Sequence, residues 1–144
     1  LLHFARAAGG GGDFSPRSDS RPQLLKSYAP DDQAQRSRVL DIEIDRAAYR
    51  LTQLRAAEET KSASVQTFAT STFKHLSTQL ESRSLDETVS LMGFQGIGWE
   101  GNQFKNEEVG ATRKMLLSKG FLIAGGSSEV QLNVIAKRVL GLPD

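Results

Sequence analysis

The feature that most constrains the fold is an apolar stripe with helical spacing in the segment after Pro30. Its members recur every three or four residues: Leu40, Ile44, Ala47, Leu51 and Leu54. Because this spacing places side chains on one face of an α-helix, the segment predicts a long helix that reaches to about Glu59. We predict that this face packs in the core of the protein.

The same helix carries a start signal and a second apolar face. Asp31 or Asp32 can accept hydrogen bonds from the N–H groups of its first turn, and a carboxylate suits the positive end of the helix dipole. Ile42 and Tyr49 lie off the main stripe and predict a second buried face. Two apolar faces on one helix exceed what a small bundle must bury, which favours an assembly of several subunits.

Two further long helices follow. The second is predicted to begin near Ser62, with Val65, Phe68, Leu76 and Leu80 at helical spacing, and to end at Gly93. The stretch GFQGIGWEGN predicts a loop. Asn106 is the expected cap of a third helix over residues 107–122, whose apolar positions include Val109, Met115, Leu116 and Phe121. No segment alternates with period two, so the fold class is all-α, an up-and-down four-helix bundle.

The first thirty residues have a different composition. LLHFARAAGG is typical of the last turns of a helix, and residues 9–30, rich in Gly, Ser and Pro, predict a flexible linker within a single domain of residues 1–144. The run of glycines at residues 9–12 could cradle a phosphate, but slack chain is the better interpretation because no helix signal follows it.

Composition and charge exclude several classes of function. The 144 residues carry a formal net charge of +1, which gives no argument for binding nucleic acid. The absence of cysteine excludes disulfides and thiolate ligands, and two histidines outside any cluster make a metal site improbable. No apolar run approaches the length of a membrane span, and no signal-peptide pattern occurs. Since the chain begins with Leu, we expect a processed protein or part of a longer one.

The last stretch, IAGGSSEVQLNVIAKRVLGLPD, predicts a tight turn followed by a short helix. Gly125 and Gly126 permit backbone angles that other residues avoid. Ser128 and Gln131 fit the capping-box pattern, and Gly141 is the expected left-handed cap at the end. A Gly-Gly-Ser-Ser turn before a helix is either an anion site or a plain connection between helices, and the residues by themselves leave both open.

Two of these motifs resemble the acyl-CoA dehydrogenase family. IAGGSSEVQLNVIAKRVLGLP is similar to the G-T-S-E-I-Q-R-N-I-I-A-x-R-x-L-G-L-P run with which such proteins end, and SLMGFQGIGW resembles the glycine loop before their last long helix. The resemblance covers nearly the whole chain and corresponds to the C-terminal helical domain of that family. The N-terminal helical domain and the middle β-domain of such an enzyme are absent from this sequence.

The resemblance implies an FAD site and names its residues. In the family, the terminal turn contacts the flavin, and the glycine loop meets the FAD of a neighbouring subunit. The matching cofactor-binding positions are Arg6, Ser90, Gly93, Gly96, Ser127, Ser128 and Glu129, while Gly125 and Gly126 match positions close to the flavin or the thioester. Ser90 replaces a frequent glutamine, and Arg6 stands in a segment that lacks the family's Phe.

No catalytic residue is predicted in this chain. The family reaction removes a proton α to a thioester carbonyl, which requires a carboxylate near that carbon. Several branches place this glutamate directly before the terminal turn, where Gly125 stands. Leu132, at a position that commonly holds Arg, is a second departure from the family pattern.

The leading hypothesis is therefore a flavoenzyme domain that supplies part of an FAD site and an oligomer interface for α,β-dehydrogenation of an acyl-CoA thioester. A catalytically silent structural subunit, a flavin-dependent monooxygenase or oxidase, and a free-standing anion-binding bundle are the alternatives. The resemblance implies an electron-transfer flavoprotein as electron acceptor and a homo- or heterotetramer. It places the protein in the cytoplasm, or in the mitochondrial matrix of a eukaryote, without nucleic acid or metal.

Overall fold

The four predicted helices are present in the structure, a computed structural model that describes residues 27–28, 31–62 and 68–143. In order they are α1 (Gln33–Ser62), α2 (Phe68–Met92), a 3-10 turn (Gly93–Ile97), α3 (Asn106–Ile123) and α4 (Ser128–Val134), which continues as a π-helical turn (Ile135–Val139). The described residues contain no strand. The predicted all-α, four-helix class is confirmed.

The start of α1 agrees with prediction, but its end does not. The Asp32 carboxylate accepts a hydrogen bond from the Gln35 N–H at 2.9 Å, which is the N-cap geometry expected of this residue. The helix then runs to Ser62 rather than to Glu59, so the prediction that the second helix begins near Ser62 is wrong. That helix begins at Phe68, and residues 63–67 lie outside the described part of the chain.

Helix α2 packs against all the other helices, and its ion pairs fix their directions. Arg38 contacts Glu87 at 2.9 Å and Asp45 contacts Arg83 at 2.8 Å, so α1 and α2 are antiparallel. On the other side, Lys119 near the end of α3 lies 2.6 Å from Asp86, whereas Thr112 near its start bonds Gly96 just beyond the end of α2. The three long helices therefore run alternately up and down. Because such partly exposed pairs contribute at most about 1 kcal/mol each, they define register more than stability.

The best-packed apolar cluster lies between α1 and α2. Ile42, Tyr49 and Leu80 are buried together, with Phe73 packed against them. The rings of Tyr49 and Phe73 meet edge to face, with centroids 5.8 Å apart and an interplanar angle of 87°. Burial raises the pKa of the Tyr49 hydroxyl, against a smaller lowering by a hydrogen bond with Ser77. The predicted second face of the first helix is thus confirmed as core.

The main apolar stripe of α1, by contrast, is not part of this core. Leu40 is 60% exposed and Ile44 65% exposed, and Leu51 and Leu54 also face outward. The prediction that this stripe packs inside the domain is wrong. Helical periodicity shows that a face is apolar but does not show what covers it. Among the helices that the structure describes, α1 packs mainly against α2.

Small polar side chains of α2 and α3 are buried where these helices meet their neighbours. The buried members are Ser82, Ser84, Thr88, Thr112 and Ser118. The Thr88 hydroxyl donates to the Ser84 carbonyl at 2.8 Å and the Ser118 hydroxyl to the Met115 carbonyl at 2.6 Å. The Ser82 and Ser84 hydroxyls accept hydrogen bonds from Lys119 and Arg46 of the neighbouring helices. Each of these hydroxyls therefore has a hydrogen-bond partner, on its own helix or on a neighbouring element, and the helices can meet without unpaired hydroxyl groups.

Helix α3 spans almost the predicted range but has a different cap. Asn106 is its first residue rather than its cap, and Lys105 is the capping position. The Glu108 carboxylate accepts the Lys105 N–H at 2.8 Å and also the Tyr28 hydroxyl. The Tyr28 bond lowers the pKa of Glu108, and the same bond raises the pKa of Tyr28 to about 12. A charged carboxylate at N3 thus replaces the expected asparagine cap.

The chain's last helix ends as predicted. Gly141 has φ +65°, and the Leu142 N–H returns to the Ala136 carbonyl at 3.0 Å, which closes the helix end with a left-handed glycine. In the part of the chain that the structure describes, no helix combines the length and apolar character that crossing a membrane requires.

Candidate functional site

The terminal turn between α3 and α4 has the backbone that the sequence predicts. Gly125 has φ +73° and Gly126 φ +105°. Such angles are costly for residues with a Cβ atom, so the glycine pair is required by the path of the chain. The Gly126 N–H closes the end of α3 by donating to Ile123 at 3.2 Å. The residues at 125–129 are therefore brought together in one tight connection.

The predicted capping box of α4 is not formed. Ser127, not Ser128, occupies the capping position, and the Ser127 carbonyl accepts the Gln131 N–H at 3.0 Å. The Gln131 side chain donates to the Gly125 carbonyl at 3.0 Å instead of reaching the capping residue. The two positive-φ glycines place the Gly125 carbonyl within reach of the Gln131 side chain. A hydrogen bond from the first turns of α4 back to the glycine pair thus replaces the predicted capping box.

Two side chains of α2 anchor the turn, and sequence reasoning missed both. The Lys74 ammonium donates to the Gly126 carbonyl at 2.5 Å, and the Gln79 amide donates to the Ser128 hydroxyl at 2.8 Å. Burial lowers the pKa of Lys74. Because each partner lies about fifty residues later in the chain, no local pattern marks these anchors.

A carboxylate of this chain already lies at the positive end of α4. The Ser127 hydroxyl holds the pKa of Glu129 below its ordinary value, helped by the residue's own N–H and by the nearby His75 imidazole. His75 Nδ1 is buried without a hydrogen-bond partner. This arrangement weakens the anion-site hypothesis, since the helix end is partly neutralised from within.

The link between Ser127 and Glu129 gives a testable prediction. In a Ser127→Ala variant the Glu129 pKa should rise towards its ordinary value, because the largest cause of its depression is removed. The stabilising effect of this carboxylate is present above the ordinary pKa and is lost as the pH falls through the lower, folded-state pKa. Side-chain carboxyl NMR titration measures the shift.

Ser128→Ala is the matched control for that titration. The Ser128 hydroxyl accepts a hydrogen bond from the Gln79 amide and is not among the groups that lower the pKa of Glu129. Its removal should leave the Glu129 titration unchanged. Equal shifts in both variants would show that the pKa depends on the turn as a whole and not on the Ser127 hydroxyl.

The second predicted cluster lies at the other end of α2. Gly93 has φ +54° and an open side where no atom would meet an added Cβ, whereas Gly96 is buried against the Val89 carbonyl. The Thr112 hydroxyl donates to the Gly96 carbonyl at 2.9 Å and holds the 3-10 turn on α3. The stretch predicted as a loop therefore starts as an ordered helical turn.

Ser90, the other predicted residue of this cluster, is exposed and lines a cleft between α1 and α2. The cleft has a volume of about 340 Å³, and its other walls are Arg38, Asp41, Ile42, Arg83, Asp86 and Glu87. Four of its five charged walls are in ion pairs: Arg38 with Glu87, Arg83 with Asp45, and Asp86 with Lys119. The cleft is a surface groove lined by ion pairs, and its walls do not form an arrangement of catalytic side chains.

The structure keeps the two glycine clusters apart. Lys74, beneath the terminal turn, and Gly93 are nineteen residues apart along α2, which corresponds to about 28 Å of helix. Arg6, the remaining predicted site residue, lies outside the described residues. One chain therefore presents two separate glycine-rich surfaces instead of one composite pocket.

Neither surface holds a recognisable proton acceptor for carbon acids or a metal site. Gly125 has no side chain to accept a proton, and the nearest carboxylate, Glu129, is bonded to Ser127. Among the residues that the structure describes, no group of three His, Asp or Glu side chains could hold a metal ion.

Much apolar surface surrounds these two ends. The large apolar side chains outside α1 that are more than 60% exposed are Phe94, Ile97, Leu117, Ile123 and Leu140. Such an amount of apolar surface is typical of a domain that is covered by other protein or by a ligand. The fold is thus an all-helical domain with a glycine-rich turn at each end of its central helix and exposed apolar side chains around both turns.

Comparison with known proteins gives the family of this domain. The family described as acyl-CoA dehydrogenase, C-terminal domain, matches residues 17–140, and the chain belongs to it. The chain is also 40% identical over 62 residues to acyl-CoA dehydrogenase IpdE1 of Mycolicibacterium smegmatis (strain ATCC 700084 / mc(2)155). That match covers 42% of this chain and 15% of the relative, so the chain spans a small part of the protein it matches. No solved structure matches the chain at comparable significance.

Proposed function

We propose that this domain supplies part of an FAD site and the subunit interface of an acyl-CoA dehydrogenase-like flavoenzyme that α,β-dehydrogenates an acyl-CoA thioester. The terminal turn carries the proposal. It combines two positive-φ glycines, two serine hydroxyls and a helix start, and the side chains of Lys74 and Gln79 hold it in place.

The residues of the two surfaces fit a flat, hydrogen-bonding cofactor. A Cβ added at Gly93 would have no atom within 4 Å, and a Cβ added at Gly125 would have its nearest atom 4.0 Å away. Both backbones therefore face open space. A planar ring can therefore approach the backbone at both places. Ser127 and Ser128 keep the hydroxyl groups that the family places beside the flavin, and these groups both donate and accept hydrogen bonds.

The roles proposed for this chain follow from the side chains around its terminal turn and from the missing carboxylate at position 125. When bound, the flavin supplies the acceptor for a hydride from the substrate β carbon. This chain supplies the turn that orients the ring, with Lys74 and Gln79 as anchors and Ser127 fixing Glu129 as a carboxylate. The base that removes the α proton belongs, on this proposal, to upstream sequence or to a partner subunit, because position 125 is glycine.

The partners in this proposal come from the family and not from contacts in the structure. They are an acyl-CoA substrate, an electron-transfer flavoprotein as electron acceptor, and further subunits of a homo- or heterotetramer. The extensive exposed apolar surface supports the last of these. The proposed compartment is the cytoplasm, or the mitochondrial matrix in a eukaryote.

An absorbance spectrum of the purified protein, recorded beside an intact mass, tests the proposal. Flavin absorption bands that bleach when an acyl-CoA thioester is added without oxygen are the expected result. Flavin that does not respond to thioesters but is reoxidised rapidly by oxygen would favour an oxidase or monooxygenase. A colourless protein that takes up no added FAD would contradict the proposal and leave the silent structural subunit, which Gly125 and Leu132 favour.

A further inference from the structure

Lys74 borders the open side of the terminal turn, where a side chain at position 125 would lie. Gly125 is exposed, and an added Cβ would have the Lys74 Cε as its nearest atom, at 4.0 Å, apart from its own chain neighbours. The Lys74 Nζ is bonded to that carbon. The amino group of Lys74 therefore lies at the edge of the space that the glycine leaves open.

The amino group of Lys74 is partly buried and has a neutral partner. It donates to the Gly126 carbonyl at 2.5 Å, and in the described part of the chain no carboxylate pairs with it. Burial lowers the pKa of Lys74, because a partly buried ammonium is poorly solvated. A larger fraction of this amine is therefore unprotonated, and able to act as a nucleophile, than in an exposed lysine.

Two lysines of α3 have different surroundings. The Lys119 ammonium lies 2.6 Å from the Asp86 carboxylate and donates to the Ser82 hydroxyl at 2.7 Å. A carboxylate partner favours the charged ammonium, which has no free electron pair. Lys114, on the same helix, is exposed. The chain thus contains a paired lysine and a solvated lysine with which Lys74 can be compared.

We propose that Lys74 is a site of covalent acylation, at which an acyl-CoA thioester in the space beside Gly125 transfers its acyl group to Nζ. The unprotonated amine attacks the thioester carbonyl carbon, a C–N bond forms and the C–S bond breaks. The leaving thiolate takes up the proton that the nitrogen loses. The products are an amide on Lys74 and the free thiol of coenzyme A, so no oxidant or further reactant is required.

The hydrogen bond to Gly126 is compatible with this attack. An unprotonated amine has two N–H groups and one electron pair, so one N–H can stay bonded to the carbonyl while the electron pair faces the open space. The chain has no cysteine, so an acyl group found on Lys74 cannot have been relayed from a thiol of the same chain. The inference rests on the thioester substrate of the proposed function and not on the flavin.

Acylation would weaken the anchor of the terminal turn. The amide keeps one N–H, but it loses the positive charge, and a hydrogen bond from a charged donor is roughly twice as strong as one from a neutral donor. The Gly126 carbonyl would then be held less firmly on α2. The modification is therefore expected to loosen the turn that the proposed function places beside its ligand.

Peptide mass spectrometry tests the site without any substitution. The purified protein is incubated with butyryl-CoA, and the initial rate of butyrylation is measured at each lysine. Lys74 should react about fivefold faster than Lys114 and Lys119, because its amine is less protonated than the solvated lysine and lacks the carboxylate partner of the other. A rate at Lys74 no higher than the rate at Lys114 would overturn the inference.

Gly125→Glu tests the open space. Its carboxylate would occupy that space within reach of Lys74 and favour the ammonium, so acylation of Lys74 should slow about tenfold, towards the rate of Lys119. Gly125→Gln is the matched control, since it adds the same bulk at the same positive φ angle without the charge, and it should slow Lys74 about threefold at most. Circular dichroism verifies that both variants remain helical. A rate unchanged by Gly125→Glu would overturn the inference.

Flavin absorbance recorded on the same samples separates this inference from the proposed cofactor. Preferential acylation of Lys74 in a colourless protein that takes up no FAD would support the acylation site and contradict the flavin proposal. Flavin bands that bleach with a thioester, together with slow acylation of Lys74, would support the proposed function and overturn the acylation site. The two proposals can therefore fail independently.

Discussion

Replacing Gly96 by alanine should lower the free energy of unfolding by about 3 kcal/mol, a large effect for one methyl group. An added Cβ would lie 2.4 Å from the Val89 carbonyl oxygen and 2.9 Å from a Val89 methyl group. The first of these atoms belongs to the backbone of α2, so it cannot rotate away. The 3-10 turn would have to move off α2 and would strain the hydrogen bond from Thr112 to the Gly96 carbonyl.

Gly110→Ala is the matched control for this substitution. Gly110 lies inside α3, and no atom within 4 Å would meet an added Cβ. Since glycine is a poor helix former, this change should stabilise the protein by about 0.5–1 kcal/mol. Urea denaturation of both variants tests the pair. Equal effects at the two positions would show that the contact with Val89 does not limit the turn.

Replacing Gly126 by alanine should cost about 2–3 kcal/mol and should loosen the terminal turn. Its φ of +105° is one that residues with a Cβ rarely adopt. An added Cβ would also lie 2.6 Å from the amide nitrogen of Gln131. That side chain is flexible and can move, but it would then lose its hydrogen bond to the Gly125 carbonyl. Thermal and urea unfolding measure the loss of stability.

Gly125→Asn is the control for Gly126→Ala, because it adds a side chain at the neighbouring position, whose positive φ angle asparagine tolerates. Asparagine tolerates a φ near +73° better than other residues with a side chain, and the nearest atom to an added Cβ is 4.0 Å away. We expect a cost of about 1 kcal/mol or less. On the proposed function, Gly126→Ala should also release flavin more readily than Gly125→Asn. Identical stability and flavin retention in the two variants would contradict the role given to Gly126.

Both ends of α2 thus depend on glycine, but for different physical reasons. At Gly96 the requirement is space, since backbone approaches backbone. At Gly126 the requirement is a backbone angle, and Lys74 then uses the resulting carbonyl as an anchor. A positively charged group beneath the turn also places favourable charge near any anionic ligand that the turn contacts. The anchor from α2 makes the geometry of the turn depend on the whole domain.

Sequence reasoning succeeded where the determinants are close in the chain. The Asp32 cap, the left-handed Gly141 and the positive φ angles of Gly125 and Gly126 each depend on residues within a few positions and on backbone sterics. It was wrong about the cap at Asn106 and the capping box at Ser128. In both cases a neighbouring side chain offered a competing hydrogen bond of similar local geometry.

The faces of α1 and the anchors of the terminal turn were decided only by tertiary structure. The apolar periodicity of α1 was visible in the sequence, but which face meets α2 depends on a helix that begins after it has ended. Likewise, Lys74 and Gln79 find their partners about fifty residues later. Helix formation, caps and turns follow from short-range hydrogen bonding and sterics, so the sequence by itself determined them. Burial and long-range anchoring require elements distant in the chain to meet in space, and only the folded arrangement specifies which of them do.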